Sequence, residues 1–457
     1  MEEVKTASPV TLSKLAEETA VKIEAKTAKI GIVGLGYVGL PLALEFSRKG
    51  FQTYGLDIAK DKVDILRSGG NYIDDVNEED LRDTVKRGVF TPTTDFSVVP
   101  ELDVMYICVP SPFTENKEPD ITAILSAGRA VAKGLRKGQL VILKSTTFPG
   151  TTEDYLRPVL EEVSGLKAGK DFFLAFSPER VDPGNKRFTT ANTPIVVGGM
   201  NADSTELGVL ANRQIIEKVY RVSNPKVAEM EKLLENIFRS VNIALVNELA
   251  LLCERMNGLN IWEVVEAAGT KPFGFMKFMP GPGVGGHCIP IDPYYLSWLA
   301  RAYDFETKFI TLSANVNESM PYHVRDLVIR EISRMPITVQ DAKIMILGFS
   351  FKKNVRDLRH SPSESIIRLL FGAGANSIAY NDPYVPEIEI QGNPMKSVPI
   401  TKENLSLYDV VVLVTDHDDY DLDFILANSK RIVDTRNATA RCKDNQSKKI
   451  VLLGRKN

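Results

Sequence analysis

Three glycines and one acid form the sharpest chemical pattern in the chain. Gly34, Gly36 and Gly39 read GxGxxG, directly after the apolar run KIGIVG and at the head of LPLALEFSRKG, whose helical spacing closes at Gly50. In a strand–turn–helix setting the first glycine allows a tight turn, the second lets backbone approach a pyrophosphate, and the third lets helix and strand pack closely. The helix N-terminus then offers unpaired N–H groups to the anion. Asp57 ends the next apolar run, FQTYGLD, where a carboxylate accepts from an adenosine ribose and repels the extra phosphate of NADP. The pattern implies bound NAD, with Tyr37 and Val38 inside the fingerprint counted among the residues around it.

A second group of residues could do covalent chemistry. Cys288 stands in GGHCIPIDP, where glycines permit close approach and Asp292-Pro293 reads as the start of a helix whose dipole would lower a thiol pKa. On residue type alone a cysteine is a small buried hydrophobe. Lys232 and Asn236 are four apart in a helical stretch, so they share a face, and an ammonium and an amide there could hold a developing alkoxide. The plainer reading is a solvated polar stripe. Asp292 is equally suited to cap its helix. Cys108 and Cys253 fall in apolar patterns and are assigned to packing, Cys442 to the surface. With no CxxC pair, zinc is not indicated and free thiols in a reducing compartment are expected.

The elements that must position these residues follow from periodicity. Residues 11 to 25 have the spacing of a short amphipathic helix. Strands are expected at KIGIVG, FQTYGLD, DVMYICVP, LVILKST, DFFLAFS and TPIVVGG, alternating with helices, which implies a parallel sheet. From Ser223 one long helix is expected, capped by Asn224, with Pro225 in its first turn and Gly258 as terminator. After the Gly/Pro-rich PGPGVGGHCIPIDP, helical pattern resumes to about residue 335. Strand-like runs then return at AKIMILG, NSIAYND, DVVVLVTD and KRIVDTR, without a second glycine fingerprint. The fold class expected is α/β, two Rossmann-like doubly wound parallel sheets joined by a long central helix. The domains would be an extension (1–28), an NAD domain (29–222), a central helical domain (223–335) and a second α/β domain (336–457).

Composition narrows the class. The 457 residues exceed what one core usually supports. A formal net charge of −3 supplies no basic field, so nucleic acid and anionic membranes are poor partners. The N-terminal stretch is polar and lacks the apolar core of a signal peptide, and no later run of 18 apolar residues stands out, so a cytoplasmic protein is expected.

With GIVGLGYVGLPLA, KSTTFPGTTE, FSPERVDPGN, KLLEN and PGPGVGGHCIPIDP in order, the chain from about Lys29 onward resembles the UDP-glucose/GDP-mannose dehydrogenase family. Within it, TKPFGFM followed by GPGVGGHCIPIDPYYLSW is most similar to members acting on UDP-N-acetylglucosamine, with those acting on UDP-N-acetylmannosamine next. Ile291 stands where the glucose enzymes carry lysine, which favours a 2-acetamido sugar.

The resemblance implies an NAD domain, a dimerising central helix and a C-terminal domain holding a UDP-N-acetylhexosamine. It also implies four-electron oxidation of the sugar C6 through Cys288, as thiohemiacetal and then thioester. Lys232 and Asn236 would stabilise the oxyanion, and Asp292 with Lys232 would order water and take the alcohol proton. Thr146 would order water beside the nicotinamide, and Glu179 would support thioester hydrolysis. Gly285, Lys352, Arg359 and Arg436 would face the UDP-sugar, as would Glu179, Lys232 and Asn236. Arg180 serves either the phosphates or a salt bridge, and His287 shapes the site. A dehydrogenase performing a single oxidation, or a non-catalytic nucleotide-sugar sensor, would share the fold. The first needs no thiol, and the second makes no NADH.

Overall fold

The computed structural model describes residues 11–73, 76–114, 116–180, 187–286 and 292–456, and the chain divides into two compact units, 1–235 and 236–457.

The first unit is built on one eight-stranded sheet. Its strands are β1 (Ile30–Val33), β2 (Thr53–Leu56), β3 (Phe90–Thr93), β4 (Val104–Ile107), β5 (Leu140–Leu143), β6 (Phe173–Phe176), β7 (Ile195–Gly199) and β8 (Val219–Arg221). They lie in the order β3-β2-β1-β4-β5-β6-β7-β8. β1, β4, β5 and β6 are buried at every position, as strands covered on both faces must be. Separate apolar clusters pack the two faces, one including Ile32, Phe46 and Tyr106, the other Val33, Met105 and Leu143. The expected parallel sheet holds with one exception: β7 runs antiparallel to β6. Among the described residues of the link from β6 to β7 there is no helix of the kind that carries a parallel crossover. The N-terminal helix, Lys14–Glu24, is capped by Ser13 and buries Ala16, Ala20 and Ile23.

The long helix runs Pro225–Cys253, opened by the Asn224 Oδ1, which accepts the Val227 N–H at 3.0 Å. It ends before Gly258. Past Cys253 the bonds tighten to three-residue turns, Arg255 N–H to Leu252 O and Met256 N–H to Cys253 O, and Gly258 then turns the chain with φ +75°. By length and composition alone this helix is long and apolar enough to cross a membrane, although polar and charged residues interrupt it. Its buried face nevertheless carries Glu229, Lys232, Asn236, Ser240 and Asn247, several of them hydrogen-bonded within the protein.

The second unit holds the helices Ile261–Ala268, Asp292–Ala300 and Lys308–Ser333 and a five-stranded parallel sheet. Here β9 (Lys343–Leu347), β10 (Ser377–Asn381), β13 (Val410–Leu413), β14 (Ile432–Asp434) and β15 (Ile450–Leu452) lie in the order β10-β9-β13-β14-β15. The hairpin β11 (Glu387–Ile390) and β12 (Asn393–Lys396) stands apart. Both units are thus Rossmann-like parallel-sheet folds. Cys108 and Cys253 are buried, as expected. Cys442 is buried too, not at the surface: the short turn Ala438–Arg441 folds it into the second unit's core, and burial raises its thiol pKa.

Candidate active site

In open parallel sheets, ligands sit beyond the carboxyl ends of the strands where the strand order reverses. In the first unit that point lies between β1 and β4. Gly34, right after β1, has φ +94° and donates its N–H to Leu56 O at 2.7 Å, closing a turn that a side chain would strain. A Cβ on Gly39 would collide with the Gly34 carbonyl oxygen, whereas a Cβ on Gly36 would meet nothing within 4 Å. The first and third glycines therefore build the turn, and the second leaves open space over the N-terminus of the helix Gly39–Arg48, as an approaching pyrophosphate needs. Asp57 Oδ2 accepts the Leu35 N–H at 2.8 Å and Oδ1 the Ala59 N–H at 2.9 Å, and the Tyr72 hydroxyl donates to Leu35 O at 2.6 Å. Burial pushes the Tyr72 hydroxyl pKa up, so it stays a donor. Tyr37 is exposed and Val38 half-buried beside this turn. The residues fit an NAD pyrophosphate and ribose.

Next along the same edge, the loop after β5 carries Thr146, half-buried. Ser111 Oγ donates to Thr146 O and Ser145 Oγ to Val109 O at 2.6 Å, tying this loop to the one after β4. Lys144, which the motif reading did not single out, is fully buried just after β5, and its Nζ lies 3.2 Å from Glu179 Oε2 beyond β6. Glu179 Oε1 accepts the Arg180 backbone N–H at 2.9 Å. Of the two roles considered for Arg180, the structure realises the salt bridge: its guanidinium pairs with Glu231 and, at 2.8 Å, with Glu235, and donates to Pro194 O. Burial, with a hydrogen bond to Glu235, pushes the Glu231 carboxyl up to about 7 against the pull of Arg180.

The long helix brings in Lys232 and Asn236, both buried, which removes the solvated-stripe reading. One turn before Lys232, Glu229 is fully buried and accepts from Gly150 N–H at 2.6 Å, Thr152 N–H at 2.8 Å and the Thr152 hydroxyl at 2.7 Å. That residue was also missed; its place three positions before Lys232 on the same face was the available signal.

In the second unit, Lys352 and Arg359 follow β9 and Arg436 follows β14, all at carboxyl ends of strands. Gly285 sits so close to Phe351, the neighbour of Lys352, that a Cβ would come within 2.5 Å of it, and Gly286 N–H reaches Arg359 O at 2.8 Å. Arg436 lies against Gly281 and donates from Nε to Val414 O at 2.8 Å; burial lowers its pKa. Arg359 forks onto Asp357. The 281–286 turn is thus packed against Phe351, the backbone of Arg359 and the guanidinium of Arg436. Beneath the Lys352 loop, buried His417 accepts the Asn354 N–H at Nδ1 (3.0 Å), which leaves its proton on Nε2 to donate to Asp382 Oδ2 at 3.0 Å. Burial opposes ionisation of Asp382, but hydrogen bonds from His417 and Ser350 bring its carboxyl down to about 2. Cys288 and His287 lie outside the described residues; Asp292 opens the helix Asp292–Ala300 as expected.

Residues 28–223 match the NAD binding domain of the UDP-glucose/GDP-mannose dehydrogenase family, 226–319 its central domain and 345–441 its UDP binding domain. The chain belongs to that family. It is accordingly an NAD-dependent oxidoreductase whose second α/β domain takes a nucleotide sugar. It is 36% identical over 396 residues to a UDP-N-acetyl-D-glucosamine 6-dehydrogenase of Pseudomonas aeruginosa, covering 86% of this chain and 92% of the relative. To a UDP-N-acetyl-D-mannosamine dehydrogenase of Methanococcus maripaludis it is 32% identical, covering 90% of this chain and 92% of the relative. The solved UDP-D-ManNAc dehydrogenase of Pyrococcus horikoshii superposes with a TM-score of 0.84 at 30% identity, over 93% of this chain and 99% of that one. Glu229, Lys144 and His417 of this chain are buried, and the linear motifs do not mark them.

Proposed function

We propose that this family member oxidises C6 of UDP-N-acetylglucosamine to the carboxylate in two successive oxidations. The observation that carries the sugar assignment is the 36% identity, over most of both chains, to a relative named for that substrate. Ile291 in place of lysine agrees with it. UDP-N-acetylmannosamine is the second reading, favoured by the Methanococcus relative and the Pyrococcus structure.

NAD, when bound at the Gly34–Gly39 turn, accepts the hydride of each oxidation. The chain's own residues do the rest. Lys232 and Asp292 take the proton of the C6 hydroxyl through ordered water, which Thr146 helps to hold. The Cys288 thiolate adds to the aldehyde carbon, so the intermediate is retained, and Lys232 with Asn236 holds the oxygen of the thiohemiacetal. Oxidation of that adduct gives a thioester, which Glu179 helps water to hydrolyse. Lys352, Arg359 and Arg436 neutralise the pyrophosphate beside Gly285.

The same proposal includes the division at residues 28, 222 and 335, a cytoplasmic location and a homodimer, or a higher homo-oligomer, built on the long helix. Support for the dimer is a stripe of exposed apolar residues, Val227, Met230, Leu234, Phe238, Leu245 and Leu249, at spacings of three, four and seven. The deciding assay gives the purified protein NAD and, side by side, UDP-N-acetylglucosamine, UDP-N-acetylmannosamine, UDP-N-acetylgalactosamine or UDP-glucose. Preference for the first supports the assignment; equal rates on UDP-glucose defeat it.

A further inference from the structure

We infer that Lys144 is a positioning residue for the hydrolytic half of the reaction, its buried ammonium holding the Glu179 carboxylate ionised and aimed. The inference rests on the reading of Glu179 given above and extends it to a residue that reading leaves out.

Lys144 is the first residue after β5, and Glu179 stands just beyond β6, the neighbouring strand. The lysine side chain is 0% exposed and the glutamate side chain 13%, so Lys144 is shut away while Glu179 keeps an edge that water can reach. Any effect of the lysine on chemistry must therefore pass through its partner. Among the described residues, Glu179 is the carboxylate that answers the charge, at 3.2 Å; the remaining polar contact is Pro178 O at 3.5 Å. Cys108, at the end of β4, cannot share that duty, because burial pushes its thiol up to about 12 and keeps it neutral.

Glu179 is fixed at both oxygens, Oε1 by the Arg180 N–H and Oε2 by Lys144. Two residues past Lys144, the same loop presents Thr146. Stability alone does not account for the pair, since an apolar side chain of similar volume in place of a buried ion pair is often neutral or stabilising. A carboxylate kept charged and oriented at the strand ends is what general-base hydrolysis needs.

In that step a bond forms between water oxygen and the acyl carbon while Glu179 takes one water proton. The C–S bond then breaks with its electron pair returning to the Cys288 sulfur, and the carboxylic acid formed releases its proton to solvent. Without the nearby ammonium, Glu179 protonates at higher pH and loses its aim.

The test follows acyl-enzyme by intact mass, together with kcat, KM and the pH–rate profile, in Lys144→Met, Lys144→Arg, Glu179→Gln and the double variant Lys144→Met/Glu179→Gln. The substrate is UDP-N-acetylglucosamine, or the mannosamine epimer if that is the one turned over. Glu179→Gln should accumulate the acyl-enzyme. Lys144→Met should do the same, with kcat down roughly 10- to 100-fold, the scale of a 1 Å misplacement. KM for NAD and for the nucleotide sugar should hold, the acidic limb should move to higher pH, and Lys144→Arg should recover most of the rate. The double variant should be no slower than Glu179→Gln, a comparison that survives even if Lys144→Met fails to fold. Normal hydrolysis and an unmoved pH profile in Lys144→Met, beside an impaired Glu179→Gln, would overturn the role of Lys144. A double variant slower than Glu179→Gln would overturn it too. Normal hydrolysis in Glu179→Gln would instead show that the reading of Glu179 is wrong, and the inference would fall with it.

Discussion

Glu229 Oε1 receives both the backbone N–H and the hydroxyl of Thr152, at 2.8 and 2.7 Å, in a site closed to water. The bond joins the long helix, one turn before Lys232, to the segment that follows the Thr146 loop. Burial pushes the Glu229 carboxyl up to about 7, with the hydrogen bonds pulling the other way.

A pH dependence follows. A carboxyl whose folded pKa stands near 7, above its ordinary value of 4.5, favours the fold when protonated, so its contribution is fully present below about 4.5 and is lost as pH rises through 7. The full span is on the order of 3 kcal/mol. Thermal unfolding measured from pH 4.5 to 8 should show this slope, and Glu229→Gln should flatten it. Glu229→Ala, which strands three donors, should lower stability by about 2–4 kcal/mol near pH 4.5 and by less as pH rises through 7, and should reduce kcat, since Thr146 and Lys232 lose a shared anchor. An unchanged slope in Glu229→Gln would refute the assignment.

The fingerprint glycines separate folding from binding. Gly39→Ala must push against the Gly34 carbonyl and should cost several kcal/mol, read as a large drop in Tm. Gly36→Ala meets no protein atom within 4 Å, so Tm should hold while the Kd for NAD rises at least about tenfold, because the added methyl occupies the pyrophosphate's approach. Calorimetric titration with NAD checks this, and unchanged affinity in Gly36→Ala would place the cofactor elsewhere.

The exposed stripe on the long helix gives an assembly prediction. Leu234 and Leu245 are 62% and 54% exposed, so a charge at either should cost the isolated chain little and disrupt a contact between two copies strongly. Light scattering should find a dimer for the native chain and a monomer for Leu234→Glu/Leu245→Glu. A double variant that stays dimeric would remove this helix from the interface.

What the sequence made legible was local. The strand, turn and helix around Gly34 to Gly39 are written in consecutive residues, as are the Asn224 cap and the strand-end positions of Lys352, Arg359 and Arg436. What it hid depends on partners far along the chain. Glu229 meets Thr152 across 77 positions and Lys144 meets Glu179 across 35, and neither pairing leaves a periodic trace. The reversal of β7 leaves no local trace, and Cys442, assigned to the surface, is buried beside a short turn that no propensity announces.

The covalent role of Cys288 is the centre of the account. Its most direct measurement is the number of NADH formed per nucleotide sugar consumed, followed with the covalent state of the protein, in the native chain and in Cys288→Ser. The account predicts two NADH and a transient acyl adduct for the native chain, with neither uronic acid nor adduct from Cys288→Ser. Two NADH per sugar and full conversion to the uronic acid by Cys288→Ser would contradict it.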